Sequence, residues 1–193
     1  MRVRSKAPLR LGIAGGGTDV SPYSDVHTGA VLNATINMYA RTFLETVDNE
    51  IIQFIAHDLG QKDVLPLGKI ELKNPNGLLL HRAVYLRVMR QFNNGVQIPI
   101  RVSTFCDAPP GSGLGSSSSL VVSMLEAYRE LLSLPLGEYD LAKLAYEIER
   151  VDCDLAGGKQ DQYAATFGGF NFIEFNKDDS VIVNPLRIRR YIV

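Results

Sequence analysis

The sequence predicts an α+β fold. Strand-like segments of period two occupy the first third of the chain, and helical stripes of period 3.6 interleave with further strands after it. Of the 193 residues, 46% are hydrophobic and 21% charged. That is ordinary globular composition, enough for one domain with a substantial core or at most two small ones.

The elements follow in order. Residues 3–14 read as a strand in which Leu9, Leu11 and Ile13 alternate with Arg10, Gly12 and Ala14. Gly15, Gly16, Gly17, Thr18 and Asp19 then force a loop. Residues 30–36, 41–47 and 51–55 are expected as three strands, with Asp48-Asn49 as a tight hairpin turn between the last two. Residues 66–77 are irregular. A helix is predicted over 78–92, where Leu79, Ala83, Leu86 and Arg90 mix apolar and basic faces, and a strand over 98–105. Leu120, Val121, Met124, Leu125, Tyr128, Leu131 and Leu132 mark an amphipathic helix over 116–132. Leu141, Leu144, Ala145, Ile148 and Val151 mark a second stripe. Residues 154–158 break it, and 160–167 resume as a short helix. Residues 170–175 and 181–183 flank a turn at 176–180, a hairpin, and 187–193 alternate as a last strand with one polar face.

Bulk properties exclude several classes. The formal net charge of −1 gives no global attraction to nucleic acid or membrane. No apolar run approaches the ~20 residues of a membrane helix, and the basic start lacks the apolar core of a signal peptide, so a cytoplasmic location is expected. Cys106 and Cys153 lack metal or redox spacing and read as buried free thiols. His27, His57 and His81 are scattered and read as surface or satisfied histidines.

The chemistry concentrates in Pro109, Pro110, Gly111, Ser112, Gly113, Leu114, Gly115, Ser116, Ser117, Ser118 and Ser119. Glycine turns tightly and lets backbone approach a ligand. The first-turn N–H groups of the following helix, with its dipole, favour an anion. Serine hydroxyls suit phosphate or a metal ion. The stretch is neither a Walker A loop, since no lysine follows Gly115, nor a dinucleotide fingerprint, since Ser118 replaces the third glycine. An ordinary glycine-rich turn stays open at this level.

Three further places carry polar groups that packing does not need. Arg10 and Asp19 flank the triple-glycine loop, either as a surface ion pair or as contacts to a small ligand, Asp19 accepting sugar hydroxyls. Glu149 flanks its apolar stripe, either solvated or holding Mg²⁺ through hard oxygen. Asp161 opens a short helix after Gly157 and Gly158, either as an N-cap or as a catalytic carboxylate beside Arg10.

The chain resembles the GHMP kinases, whose motif Pro-x-x-x-Gly-Leu-Gly-Ser-Ser is reproduced by Pro109 to Ser117. Within that family it looks most like the bacterial D-glycero-D-manno-heptose 7-phosphate kinases. The stretch from Ala7 to Asp19, Ile148-Glu149-Arg150, the stretch from Gly157 to Ala165 and the stretch from Phe167 to Phe172 carry the likeness. The resemblance runs over essentially the whole chain. It implies the family's N-terminal ATP-binding domain over residues 1–193, a ribosomal-protein-like two-layer α/β sandwich with a mixed sheet packed with helices. The implied activity is an ATP- and Mg²⁺-dependent sugar kinase phosphorylating the anomeric hydroxyl of heptose 7-phosphate, a step in nucleotide-activated heptose biosynthesis. A fucose- or galactose-type sugar-1-kinase and a non-catalytic nucleotide- or sugar-binding module are the alternatives.

Residue by residue, the resemblance assigns the ATP phosphates to Pro110 through Ser118 and Mg²⁺ to Ser117 and Glu149. Asp161 matches the carboxylate placed against the acceptor hydroxyl, and Arg10 the basic residue that keeps it charged and neutralises the transition state. Gly16, Gly17, Thr18, Asp19 and Gly158 match acceptor contacts. A 7-phosphate needs a cationic pocket, for which Arg41, Arg82, Arg87 and Lys159 are candidates. Family members are considerably longer, so their C-terminal domain is expected to be absent. The strand over 187–193 would then leave Ile188 and Ile192 uncovered, inviting self-association or a C-terminal partner half. A small sugar phosphate, and no nucleic acid or membrane, is the expected partner.

Overall fold

Strand β2 (Gly29–Thr46), 18 residues long, is the spine of the molecule. The structure, a computed structural model, describes residues 1–72 and 77–188. Along β2 runs β1 (Arg2–Ala14), antiparallel, from Arg2 opposite Glu45 to Ala14 opposite Leu32. The C-terminal half of β2 pairs with β5 (Ile100–Cys106) and its N-terminal half with β6 (Phe170–Phe175), both antiparallel. Beyond β5 lies β3 (Ile51–Ala56), parallel to it, and then β4 (Gln61–Pro66), antiparallel to β3. β7 (Val181–Pro185) forms a hairpin with β6. The mixed sheet runs β4-β3-β5-β2-β6-β7, with β1 attached to β2.

The helices are α1 (Tyr23–Val26), α2 (Leu79–Phe92), α3 (Ser116–Leu132), α4 (Glu138–Glu147) and α5 (Gln160–Phe167), and a π-helical turn, Ile148–Asp152, extends α4. Val3, Leu44, Phe54 and Val102 from the sheet share one core with Tyr85, Leu125, Tyr128 and Leu144 from the helices. On the other face Phe43 and Phe105 are exposed. The result is a two-layer α+β sandwich, as the sequence predicts.

Several local expectations are corrected. Residues 30–36 and 41–47 are one strand, because β1 pairs with both halves; Asn37, a turn former, falls at the irregularity between the Pro8–Tyr39 and Arg10–Thr35 pairs and does not end the strand. Asp48-Asn49 closes no hairpin between β2 and β3, because β5 lies between them. A parallel β3–β5 pair needs a crossover, and α2 supplies it. β4 lies in a stretch that carries no clear strand signal. Leu9 is fully buried but Leu11 and Ile13 are exposed; Gly12 and Ala14 on the alternate face are exposed as well, so this end of β1 is covered on neither face.

Val151 is exposed rather than part of the α4 stripe, because the π-helical turn changes the phase. Arg187 and Ile188 are not in a strand, and the rest of the strand expected over 187–193 lies outside the described residues. Cys106 and Cys153 are buried and unpaired. Buried His81 is satisfied by a 2.9 Å hydrogen bond between Nε2 and Thr104 Oγ1, whereas His27 and His57 are exposed. No helix among the described residues is long and apolar enough to cross a membrane.

Candidate active site

The glycine-serine loop delivers the chain into α3 with Gly111, Gly113 and Gly115 all at positive φ. A Cβ on Gly111 or Gly113 would meet nothing within 4 Å, so the loop is open on its outer side. Gly115 is the N-cap of α3 at φ 73° and offers no side-chain cap. The first backbone bond across this end is Ser119 N–H to Gly115 O at 3.0 Å, which leaves the N–H groups of Ser116, Ser117 and Ser118 at the positive end of the dipole. A groove of about 180 Å³ beside the loop has a largely apolar lining, with Leu59, Leu80, Ala108, Pro110 and Leu120, and with Asp58, Ser116 and Ser117 as its polar members.

Arg10 ties this loop to α5. Its backbone N–H donates to Leu114 O at 3.0 Å and its Nη1 to Gly113 O at 2.7 Å. Its Nε and Nη2 both reach Asp161 Oδ1, at 2.7 and 2.6 Å. Both side chains are largely shielded from solvent, and charge-assisted bonds of this kind are about twice as strong as neutral ones. The Asp161 carboxylate therefore stands between Arg10 and the start of α3.

Asp161 is not the N-cap of α5; Lys159 holds that position without a side-chain cap bond. The capping carboxylate comes from Asp19, which is buried and accepts Gln160 N–H at 3.0 Å and Gln160 Nε2 at 3.3 Å. The ion pair weighed for Arg10 and Asp19 is thus replaced by Arg10–Asp161. Gly158 allows this contact: a Cβ there would stand 2.0 Å from Asp19 Oδ2.

Glu149 is not a solvated glutamate. The π-helical turn rotates it inward to complete burial. Its Oε2 accepts Ser118 Oγ–H at 2.7 Å and Gln162 Nε2–H at 2.5 Å, and Gln162 also donates to Ser118 Oγ at 3.0 Å. Oε1 has no hydrogen-bond partner among the described residues. A buried carboxylate oxygen left unpaired beside a phosphate-type loop suits a hard cation. No group of three or more His, Cys, Asp or Glu forms a metal cage among the described residues, but Mg²⁺ at nucleotide sites characteristically uses only one or two carboxylates together with phosphates. The hydroxyl bonded to Glu149 belongs to Ser118, whereas Ser117 is exposed at the cavity wall. Arg87, from α2, grips both ends of the turn, through Glu147 at 2.9 Å and Asp152 at 2.6 Å.

Arg10, Gly17, Asp19, Ser117, Gly158 and Asp161 are among the residues that line one cavity of about 470 Å³. Gly16 and Thr18 are not part of this wall; Thr18 Oγ1 is engaged within its own loop, donating to Gly15 O at 2.8 Å and accepting from Ala30 N–H at 3.0 Å. The four cations expected to hold a distal phosphate lie elsewhere, each on a carboxylate. Arg41 pairs with Asp107 at 2.5 Å, Arg82 with Asp63 at 2.8 Å, Arg87 with Glu147 and Asp152, and Lys159 with Asp179. Arg150, not singled out by its sequence context, does line the cavity. Gln162 was also missed. A glutamine beside Asp161 in the short helix gives no signal until its contact with Glu149 is seen.

Residues 79–169 match the model of the GHMP kinases N terminal domain. The chain is 49% identical over 191 residues to a D-glycero-alpha-D-manno-heptose 7-phosphate kinase from Campylobacter jejuni subsp. jejuni serotype O:2, covering 98% of this chain and 56% of that one. It is similar to the crystal structure of a D-glycero-D-manno-heptose 1-phosphate kinase from Bacteriodes thetaiotaomicron, with TM-score 0.93, 50% identity, and 100% and 62% of the two chains covered. At 20% identity it shares the fold of Lactococcus lactis galactokinase, with TM-score 0.79 over 97% of this chain and 48% of that one. The chain spans about half the length of the curated relatives it matches.

Proposed function

We propose, from the premise that this chain carries a GHMP kinase N-terminal domain, that residues 1–193 form the ATP-binding part of a sugar kinase acting on heptose 7-phosphate. The reaction proposed is transfer of the γ-phosphoryl group to the anomeric hydroxyl, giving the 1,7-bisphosphate. The observation that carries this reading is the Arg10–Asp161 pair, 2.7 Å from Nε to Oδ1, set against the N-terminus of α3.

The N–H groups at the start of α3 would bind donor phosphates, and the apolar groove beside the loop would take the base. Asp161 would accept a hydrogen bond from the acceptor hydroxyl and receive its proton as the bond to phosphorus forms. Arg10 would hold that carboxylate in place and offset the charge that develops on the transferring group. Glu149, with Ser117 or Ser118, would hold Mg²⁺, which when bound neutralises phosphate charge and orients the phosphoryl group. Asp19 and Gly158 would shape the acceptor wall.

The test is a coupled ADP-release assay with ATP, Mg²⁺ and a panel of heptose 7-phosphate, heptose, fucose and galactose. Turnover confined to heptose 7-phosphate supports the reading. Turnover only with fucose or galactose would replace the substrate, and nucleotide binding without turnover on any sugar would make the chain a binding module.

A further inference from the structure

The acceptor cavity contains two guanidinium groups, and they differ in one respect. Arg10 has a partner at each of its three nitrogens, Asp161 for Nε and Nη2 and Gly113 O for Nη1, and its charge is matched by a carboxylate. Arg150 meets only carbonyl oxygens, Leu155 O at 3.4 Å and Gly158 O at 3.2 Å, both long for bonds from a cation. Its Nε is buried without a hydrogen-bond partner, and no carboxylate lies within 4.0 Å of it among the described residues. A half-buried cation lacking a counter-charge is unfavourable unless a ligand supplies the anion.

We infer that Arg150, which lines the same cavity as Asp161, is the receptor for the phosphate the acceptor already carries. This rests on the proposed function above. The planar fork of arginine matches phosphate oxygens bidentately, and besides the buried Nε–H one N–H remains on each of Nη1 and Nη2. The surrounding backbone is shaped for it. Gly157 sits at φ +145°, where other residues are strained, and a Cβ there would stand 2.7 Å from Arg150 Nη2, so a side chain at 157 would push the guanidinium away from this wall. The donor phosphates have their own seat at the start of α3, leaving Arg150 to the acceptor. The four other candidate cations are excluded by the carboxylates they already hold.

The experiment is calorimetric titration of the full chain, without nucleotide, using heptose 7-phosphate, unphosphorylated heptose and inorganic phosphate as probes. Wild type, Arg150→Met, Arg150→Lys and Gly157→Ala are compared, with thermal melting to verify folding. The expected result is a loss of about 10- to 100-fold in heptose 7-phosphate affinity for Arg150→Met. Arg150→Lys and Gly157→Ala are expected to lose less, and heptose affinity to stay within a few-fold in all. Inorganic phosphate is expected to compete with heptose 7-phosphate in wild type and not in Arg150→Met. Equal losses for both sugars would overturn the inference and make Arg150 a brace for the 155–158 loop. If Arg150→Met fails to fold, Arg150→Lys and Gly157→Ala decide by the same criterion. Wild-type protein that binds neither sugar would instead defeat the proposed substrate, and the inference with it.

Discussion

The Asp161 carboxylate rests against Gly115: a Cβ at Gly115 would stand 3.2 Å from Asp161 Oδ2 and 3.4 Å from Arg10 Cγ. The same glycine caps α3 in the left-handed region. One residue therefore sets both the entry to the phosphate-type loop and the position of the proposed base. Gly115→Ala is expected to lose about 1–2 kcal/mol of stability from the left-handed backbone alone. It should also lower kcat by more than that stability loss can account for, by displacing Asp161. Urea unfolding and steady-state assays on the same sample separate the two effects; unchanged kcat in a folded variant would remove the steric coupling.

Asp161→Asn keeps the shape and removes the base. It is expected to lower kcat roughly 10²–10⁴-fold with little change in the KM for ATP. A drop of only a few-fold would assign Asp161 to orientation rather than proton acceptance.

Gln162 should matter without touching a ligand. It supplies one of the two donors that hold Glu149 Oε2, and outer partners of metal-binding carboxylates typically change affinity 10–100-fold. Gln162→Leu is expected to raise the Mg²⁺ concentration for half-maximal nucleotide binding by about that factor. An unchanged Mg²⁺ titration would leave Gln162 a purely structural residue.

Burial pushes the His81 imidazole down to about 4, against a weaker upward pull from Asp63. The unfolded chain, near 6.5, binds the proton more readily than the folded one between these values. Stability from neutral His81 is thus full above about pH 6.5 and is lost as pH falls towards 4, a change of roughly 3 kcal/mol. Burial alone would raise the Asp63 carboxyl, but the Arg82 guanidinium and Leu78 N–H hold it below its usual range, so its loss comes at lower pH. Urea unfolding at pH 7, 5.5 and 4.5 should show a steeper decline for wild type than for His81→Asn; parallel curves would remove His81 as the cause.

Burial also raises both thiols, Cys153 to about 11. Neither is expected to react with an aromatic disulfide reagent at pH 8 while the chain is folded, and both should react in urea. Rapid reaction of the folded protein would contradict their burial.

The sequence disclosed what short-range chemistry dictates. The limits of α3 and α5, the glycine-serine loop and the β6–β7 hairpin follow from apolar period and turn residues, and the structure has them where expected. Local pattern cannot see what depends on meeting distant chain. Arg10 and Asp161 are 151 positions apart, so spacing leaves their partnership as one of two open readings and only resemblance to a family selects it. The burial of Glu149, left open by a position that only flanks the apolar stripe, follows from the π-helical turn, which shifts the 3.6-residue phase and carries Glu149 inward and Val151 outward. The false hairpin after β2 came from a turn signal that says nothing about β5 arriving between the strands. Cations were harder still, since charge in a sequence does not reveal which carboxylate already holds it.

The grip of Arg87 on Glu147 and Asp152 anchors both ends of the turn that presents Glu149 to a helix contributing nothing to the cavity wall. Removing one residue from that turn would swing the following chain by about 100° around the helix axis. The aim of the buried carboxylate is therefore governed remotely, and a charge lost on α2 can detune the cavity while every side chain lining it keeps its identity.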